Sequence, residues 1–143
     1  LAAGWLVAGW WVFPQMDGDR SARDFIGRVQ AMADPGRELG LLAYREHFLW
    51  HLARPTTNFG HRRFREGMAE AYDAAAWLAQ GRDRQLLVNQ SMLEPCFAGA
   101  ESVREVGESS RGLWYLVTGA PAPDCIARGD AGRAIRYSPP ARR

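Results

Sequence analysis

The run Leu39-Gly40-Leu41-Leu42-Ala43, framed by Glu38 and Tyr44, is apolar at every position. Successive residues of a strand face opposite sides of a sheet, so a run without polar alternation must be covered on both faces. The chain therefore has to place a central strand over 38–44 between two layers. With 143 residues, 47% of them hydrophobic and 24% charged, it has the length and composition of one domain with a real core.

Helical and strand signals alternate around that run. Ser21 stands as an N-cap with Asp24 three residues on, and Ala22, Phe25, Ile26, Val29, Met32 and Ala33 form one apolar helical face. Asp34-Pro35-Gly36 ends this helix before the strand. A short helix is expected over Glu46–Leu52, closed by Arg54-Pro55. Thr56–His61 reads as a short strand or a loop. A second long helix spans about Glu66 to Ala79, with Met68, Ala71, Tyr72, Ala75 and Leu78 turned inward and Gly81 as its stop. Arg84–Asn89 is a further strand, followed by Ser91 and Glu94 at capping-box spacing. Ser102–Glu108 and Leu113–Thr118 flank a turn and form a hairpin. From Gly119 to Arg143 the chain is rich in Gly, Ala, Pro and Arg and should be mostly irregular. The pattern predicts an α/β fold with a small mixed sheet, parallel inner strands, flanking helices and a C-terminal antiparallel hairpin.

Residues 1–13 carry no charge and no strongly polar side chain, and Trp5, Trp10 and Trp11 lie among them. Crossing a bilayer takes about 20 apolar residues. Thirteen suit the end of a transmembrane helix, with the indoles at the interface and residues 14–20 as a hinge into a soluble domain at 21–118. An apolar N-terminal helix or strand of a soluble domain is the competing reading. All 18 basic residues are Arg, the net charge is +2, and acidic residues are interspersed, which is not the basic stripe of a nucleic-acid binder.

No phosphate loop, dinucleotide fingerprint, nucleophile elbow or metal-ligand spacing is present, so neither a metal nor a cofactor is expected. Two clusters stand out. Arg45, Glu46 and His47 fall where the central strand gives way to a helix, the end of a parallel strand at which α/β sheets bind ligands. An arginine there can fork onto a carboxylate or phosphate and a histidine can exchange a proton; the plain alternative is a surface ion pair and a helix-start residue. The stretch Asn58–Arg65, with Phe59, His61 and Arg62, could meet anionic headgroups or form a solvated face with one buried aromatic. Cys96 and Cys125 are the two cysteines. Outside the cytoplasm a bridge between them would contribute about 3 kcal/mol, and inside it they would be ordinary thiols.

Pro14, Asp17, Arg20-Ser21, Arg23, Glu38-Leu39-Gly40, Tyr44-Arg45-Glu46, Arg54-Pro55 and Phe59-Gly60 together resemble the C-terminal region of bacterial polytopic glycosyltransferases of family 39, which are similar to aminoarabinose transferase and protein mannosyltransferases. The resemblance covers approximately residues 1–125. It implies a parent enzyme of the bacterial inner membrane that moves a sugar from a polyprenyl-phosphate carrier to a lipid or protein acceptor. Its catalytic carboxylates would lie upstream, with none in this chain. The domain would be a periplasmic cap, in contact with the membrane-embedded part through residues such as Arg45, Glu46, His47, Arg54, Phe59, His61 and Arg62. That location would favour a Cys96–Cys125 bridge. A membrane-tethered interaction module without enzyme activity, or a free-standing cytosolic enzyme using Arg45, Glu46 and His47, would make different use of the same residues.

Overall fold

The computed structural model describes residues 13–60, 63–109 and 112–141, with backbone alone for 13–21 and Phe64. Residues 1–12 of the expected membrane-helix end, together with His61 and Arg62, lie outside the described residues. In chain order the elements are α1 (Phe13–Met32), β1 (Glu38–Leu41), α2 (Glu46–His51), β2 (Thr56–Asn58), α3 (Ala69–Ala79), β3 (Arg84–Asn89), β4 (Ser102–Ser109), β5 (Gly112–Thr118), α4 (Pro123–Arg128) and β6 (Ile135–Tyr137). They build a six-stranded sheet in the order β4-β5-β3-β1-β2-β6. The inner trio β3-β1-β2 is parallel and every other pairing is antiparallel. This is the mixed α/β fold that the alternation of patterns implies.

Leu39–Leu41 lie at the heart of the sheet, as their lack of alternation requires, but the strand ends at Leu41 rather than at the expected Tyr44, because Ala43 turns into the left-handed region. Leu39 and Leu41 pack with Phe25, Ile26 and Val29 of α1 and Phe48 of α2, whereas Leu42 joins Ala71, Ala74, Ala75 and Trp77 of α3. β1 connects to β2 on one side through α2, and β2 returns past β1 to β3 through α3. Right-handed crossovers in opposite directions put the two helices on opposite faces of the sheet. The hairpin extends both layers, with Trp114 and Leu116 on the α1 side and Val117 on the α3 side.

Helix α1 runs against the direction of β1. Near its end the Gln30 side chain bonds the His51 carbonyl and the Ala53 N–H, close to the amino end of β2. Earlier in the helix Phe25 packs on Phe48 and Trp114 at ring distances of 5.3 and 5.9 Å, and Trp114 is paired with Asn89, the last residue of β3. The amino terminus of α1 thus rises from the end of the sheet where the parallel strands finish.

Three expectations need correction and a fourth gains detail. Residues 14–20, expected as a hinge, are helical, and α1 starts at Phe13 rather than at a Ser21 cap. Pro14 fits there because a first-turn residue has no intrahelical N–H bond to lose. The long helix begins at Ala69, after a 3-10 turn at Arg63–Glu66 and Gly67 in the left-handed region. The turn after β3 is capped by Asn89, whose side chain accepts from Ser91 N–H at 3.0 Å. Finally, the segment from Gly119 onward, expected to be mostly irregular, also supplies two short elements, α4, which packs on α3, and β6, which pairs with β2. Apolar periodicity is absent in so short a strand, so the signal available to sequence reasoning was missing.

Candidate functional site

The carboxyl ends of β1 and β2 bring together the strap Ala43–His47, the turn Arg63–Glu66 and the first turns of α3. Arg45 stands at the N-cap position of α2 in extended backbone without a side-chain capping bond. Its Nε is buried and has no hydrogen-bond partner. Glu46 is exposed in the first turn of α2, and the half-buried His47 ring meets Phe48 edge-on at 5.0 Å. The first of the two clusters therefore sits at the strand end where the sequence placed it.

The second cluster divides. Phe59 is core rather than a surface aromatic: it is 1% exposed and packs edge-on against Trp77 at 5.6 Å. A short strand leading straight into the layer under α3 leaves it no route outward. Arg63, expected as part of a basic loop, is buried as well. Its Nη1 donates to the Phe59 carbonyl at 2.6 Å and to Asp73 Oδ2 at 2.7 Å, and its Nε donates to Glu66. Asp73 in turn accepts the Asp130 N–H at 2.8 Å, so this one ion pair joins the loop after β2, α3 and the C-terminal segment. Burial by itself opposes the Arg63 charge, yet the bonds to Glu66 and Asp73 outweigh it and its pKa goes up.

Arg54 does not belong to this end. It precedes β2, donating from Nη1 to the Asp34 carbonyl at 3.1 Å and from Nη2 to the Arg37 carbonyl, and so ties the starts of β1 and β2 together.

Sequence reasoning missed Glu70. This residue is only 4% exposed in the first turn of α3, and its Oε1 accepts the backbone N–H of Ala43 at 3.0 Å. Burial raises the Glu70 pKa; the Ala43 N–H and Arg63 pull it back, while Glu66 and Asp73 add to the rise. Tyr44, beside it, is raised by burial, then by Glu46 and Glu70. Ala43 itself has φ of +55°, a left-handed conformation uncommon outside glycine. The available signal was a pair of acids, Glu70 and Asp73, one helical turn apart on an otherwise alanine-rich helix.

Among the described residues no group of three or more His, Cys, Asp or Glu is placed to hold a metal ion. No helix among them is long and apolar enough to cross a membrane. At the strand ends Arg63 is held by Glu66, Asp73 and the Phe59 carbonyl and Glu70 by the Ala43 N–H, whereas the buried Arg45 Nε has no hydrogen-bond partner. At the opposite edge, Trp50 is 74% exposed on the rim of a groove of about 680 Å³ between α2 and the C-terminal segment, which Leu49, Leu52, Tyr137 and Pro139 also line. On the α3 side, Cys96 and Cys125 are joined by a disulfide with a Cα separation of 5.7 Å. Comparison with protein-family models, curated proteins and solved structures finds no match.

Proposed function

We propose that this chain forms the extracytoplasmic domain of a membrane glycosyltransferase, which moves a sugar from a polyprenyl-phosphate carrier to a lipid or protein acceptor. The domain is non-catalytic and docks on the membrane-embedded part. The observation that carries the location is the Cys96–Cys125 disulfide, buried at 1% and 3% exposure. Such bridges persist in oxidising compartments and are rare in the cytosol. The direction of α1 supports the docking mode. A helix entering from a membrane would meet the domain at the end of the sheet that carries Arg45, Glu46 and His47. The resemblance of residues 1–125 to family 39 supplies the enzyme class.

The test uses the full-length protein in a bacterial host. A maleimide should label Cys96 and Cys125 only after denaturation and reduction, protease added to spheroplasts should digest the domain, and membranes should transfer labelled sugar from a polyprenyl-phosphate donor. Free thiols in the native protein, or protection from protease until lysis, would overturn the location. Membranes inactive with every polyprenyl-phosphate sugar supplied would overturn the enzyme class.

A membrane-tethered interaction module is the second reading, and the exposed Trp50 favours it. Large exposed aromatics beside a groove are enriched where proteins meet. Under this reading W50A abolishes partner capture and no sugar transfer accompanies the protein.

A further inference from the structure

Ala43 occupies a backbone conformation that its side chain disfavours, and the group bonded to its N–H is a carboxyl that burial disfavours in its charged form. Two costly features joined by one hydrogen bond hold each other in place. Between β1, fixed on both sides by parallel ladders, and α2, fixed by Phe48 in the core, the left-handed turn at Ala43 sets the direction of Tyr44, Arg45, Glu46 and His47. Strained backbone persists where its surroundings over-determine it, and here Glu70 Oε1 is the group that accepts the Ala43 N–H.

We infer that Glu70 and Ala43 form a proton-coupled latch that closes the strap Tyr44–His47 over the carboxyl ends of the parallel strands. Closed, Glu70 is shut away from water; open, it is hydrated and behaves as an ordinary carboxyl. The charged groups around it are Asp73 on its own helix, Arg63 and Glu66 from the turn before α3, and Tyr44 from the strap, which Glu46 also faces. Burial, the largest influence, disfavours the carboxylate; the Ala43 N–H itself and Arg63 favour it, and Glu66 and Asp73 disfavour it. Burial outweighs the latch bond, so the Glu70 pKa is higher in the closed state than in a hydrated one. By linkage, closing takes up a proton, so acid closes the latch and rising pH opens it. The consequence is a domain whose strand-end surface changes shape with the pH of its surroundings. The inference goes beyond the proposed transferase role and stands whichever compartment holds the domain.

Hydrogen exchange on the full-length protein tests it, with the protection of residues 42–47 compared with β3 across pH 5 to 8 after correction for intrinsic exchange. Protection of the strap should fall by up to about tenfold per pH unit between the ordinary carboxyl value and the raised one, then level off, while β3 stays protected. E70Q keeps an acceptor for Ala43 but cannot titrate, so its strap should stay closed with no pH slope. A43V, whose branched side chain resists the left-handed turn, should open the strap at every pH with Glu70 intact. A pH slope that survives in E70Q, or a strap equally protected in A43V and wild type, overturns the latch.

Discussion

Removing the disulfide by C96A/C125A opens a loop whose ends are 29 residues apart in sequence. On the chain-entropy account, closing a loop of that length takes about 12 cal/mol/K from the unfolded chain, or about 3.6 kcal/mol at 25 °C. Both sulfurs lie in the core against α3, and truncation there adds roughly 1 kcal/mol per site. The expected loss of about 5 kcal/mol is a third or more of the stability of an ordinary domain. Urea titration followed by circular dichroism measures it, with the unreduced wild type as reference. The loss should also be local at first. Cys96 backbone accepts the Ala122 N–H at the start of α4, and Asp73 holds Asp130 beyond it. Exchange in 122–137 should therefore rise well before exchange in β1 and β3. A loss below about 1 kcal/mol, or exchange rising equally in all strands, would refute the view that the bridge fastens α4 and β6 to a core otherwise complete.

Other substitutions probe the two layers and the strand ends. A Cβ at Gly40 would lie 2.8 Å from both Leu86 Cδ1 and Trp77 Cζ3, so G40A should cost about 1–3 kcal/mol by overpacking, read as a lowered Tm. R63M strands the buried Asp73 carboxylate and should cost about 3–5 kcal/mol, most of it recovered in R63M/D73L, as a double-mutant cycle in urea will report. Because the Glu70 pKa is raised in the fold, its contribution is full below the ordinary carboxyl value and is lost as pH rises through the raised one. E70Q should therefore be more stable than wild type at neutral pH, with the gap closing toward about pH 4 in a series of melts. F48A empties the space between Phe25 and Trp114 and should lower stability by about 3–5 kcal/mol.

Local patterns made much of the architecture legible. Apolar spacing placed the inward face of α1, and Ala22, Phe25, Ile26, Val29 and Ala33 are all buried. Arg45, Glu46 and His47 could be assigned to a strand end because a continuous apolar run stops just before them. Elsewhere the signals were too short or depended on distant partners. Around Arg63 the sequence reads as a basic, solvated loop, and only the return of Asp73 on α3 turns that cation inward. β6, three residues long, gains its conformation from the ladder with β2 rather than from its own preferences. Ser21 and Asp24 fit a cap, but a capping motif competes with continuation of the helix, and the segment from Phe13 continues it.

Residue order alone determined that a central strand would be covered on both faces, that helices would alternate with strands, and that a hairpin would close the sheet. Each of these follows from periodicity, which neighbouring residues carry between them. Tertiary structure decided which polar groups are buried and what they face. It put Arg54 at the amino end of the strands and Arg45 at the carboxyl end, sent Phe59 into the core, and set Glu70 against the strained Ala43. Burial and long-range pairing depend on elements far apart in the chain, so no local pattern encodes them.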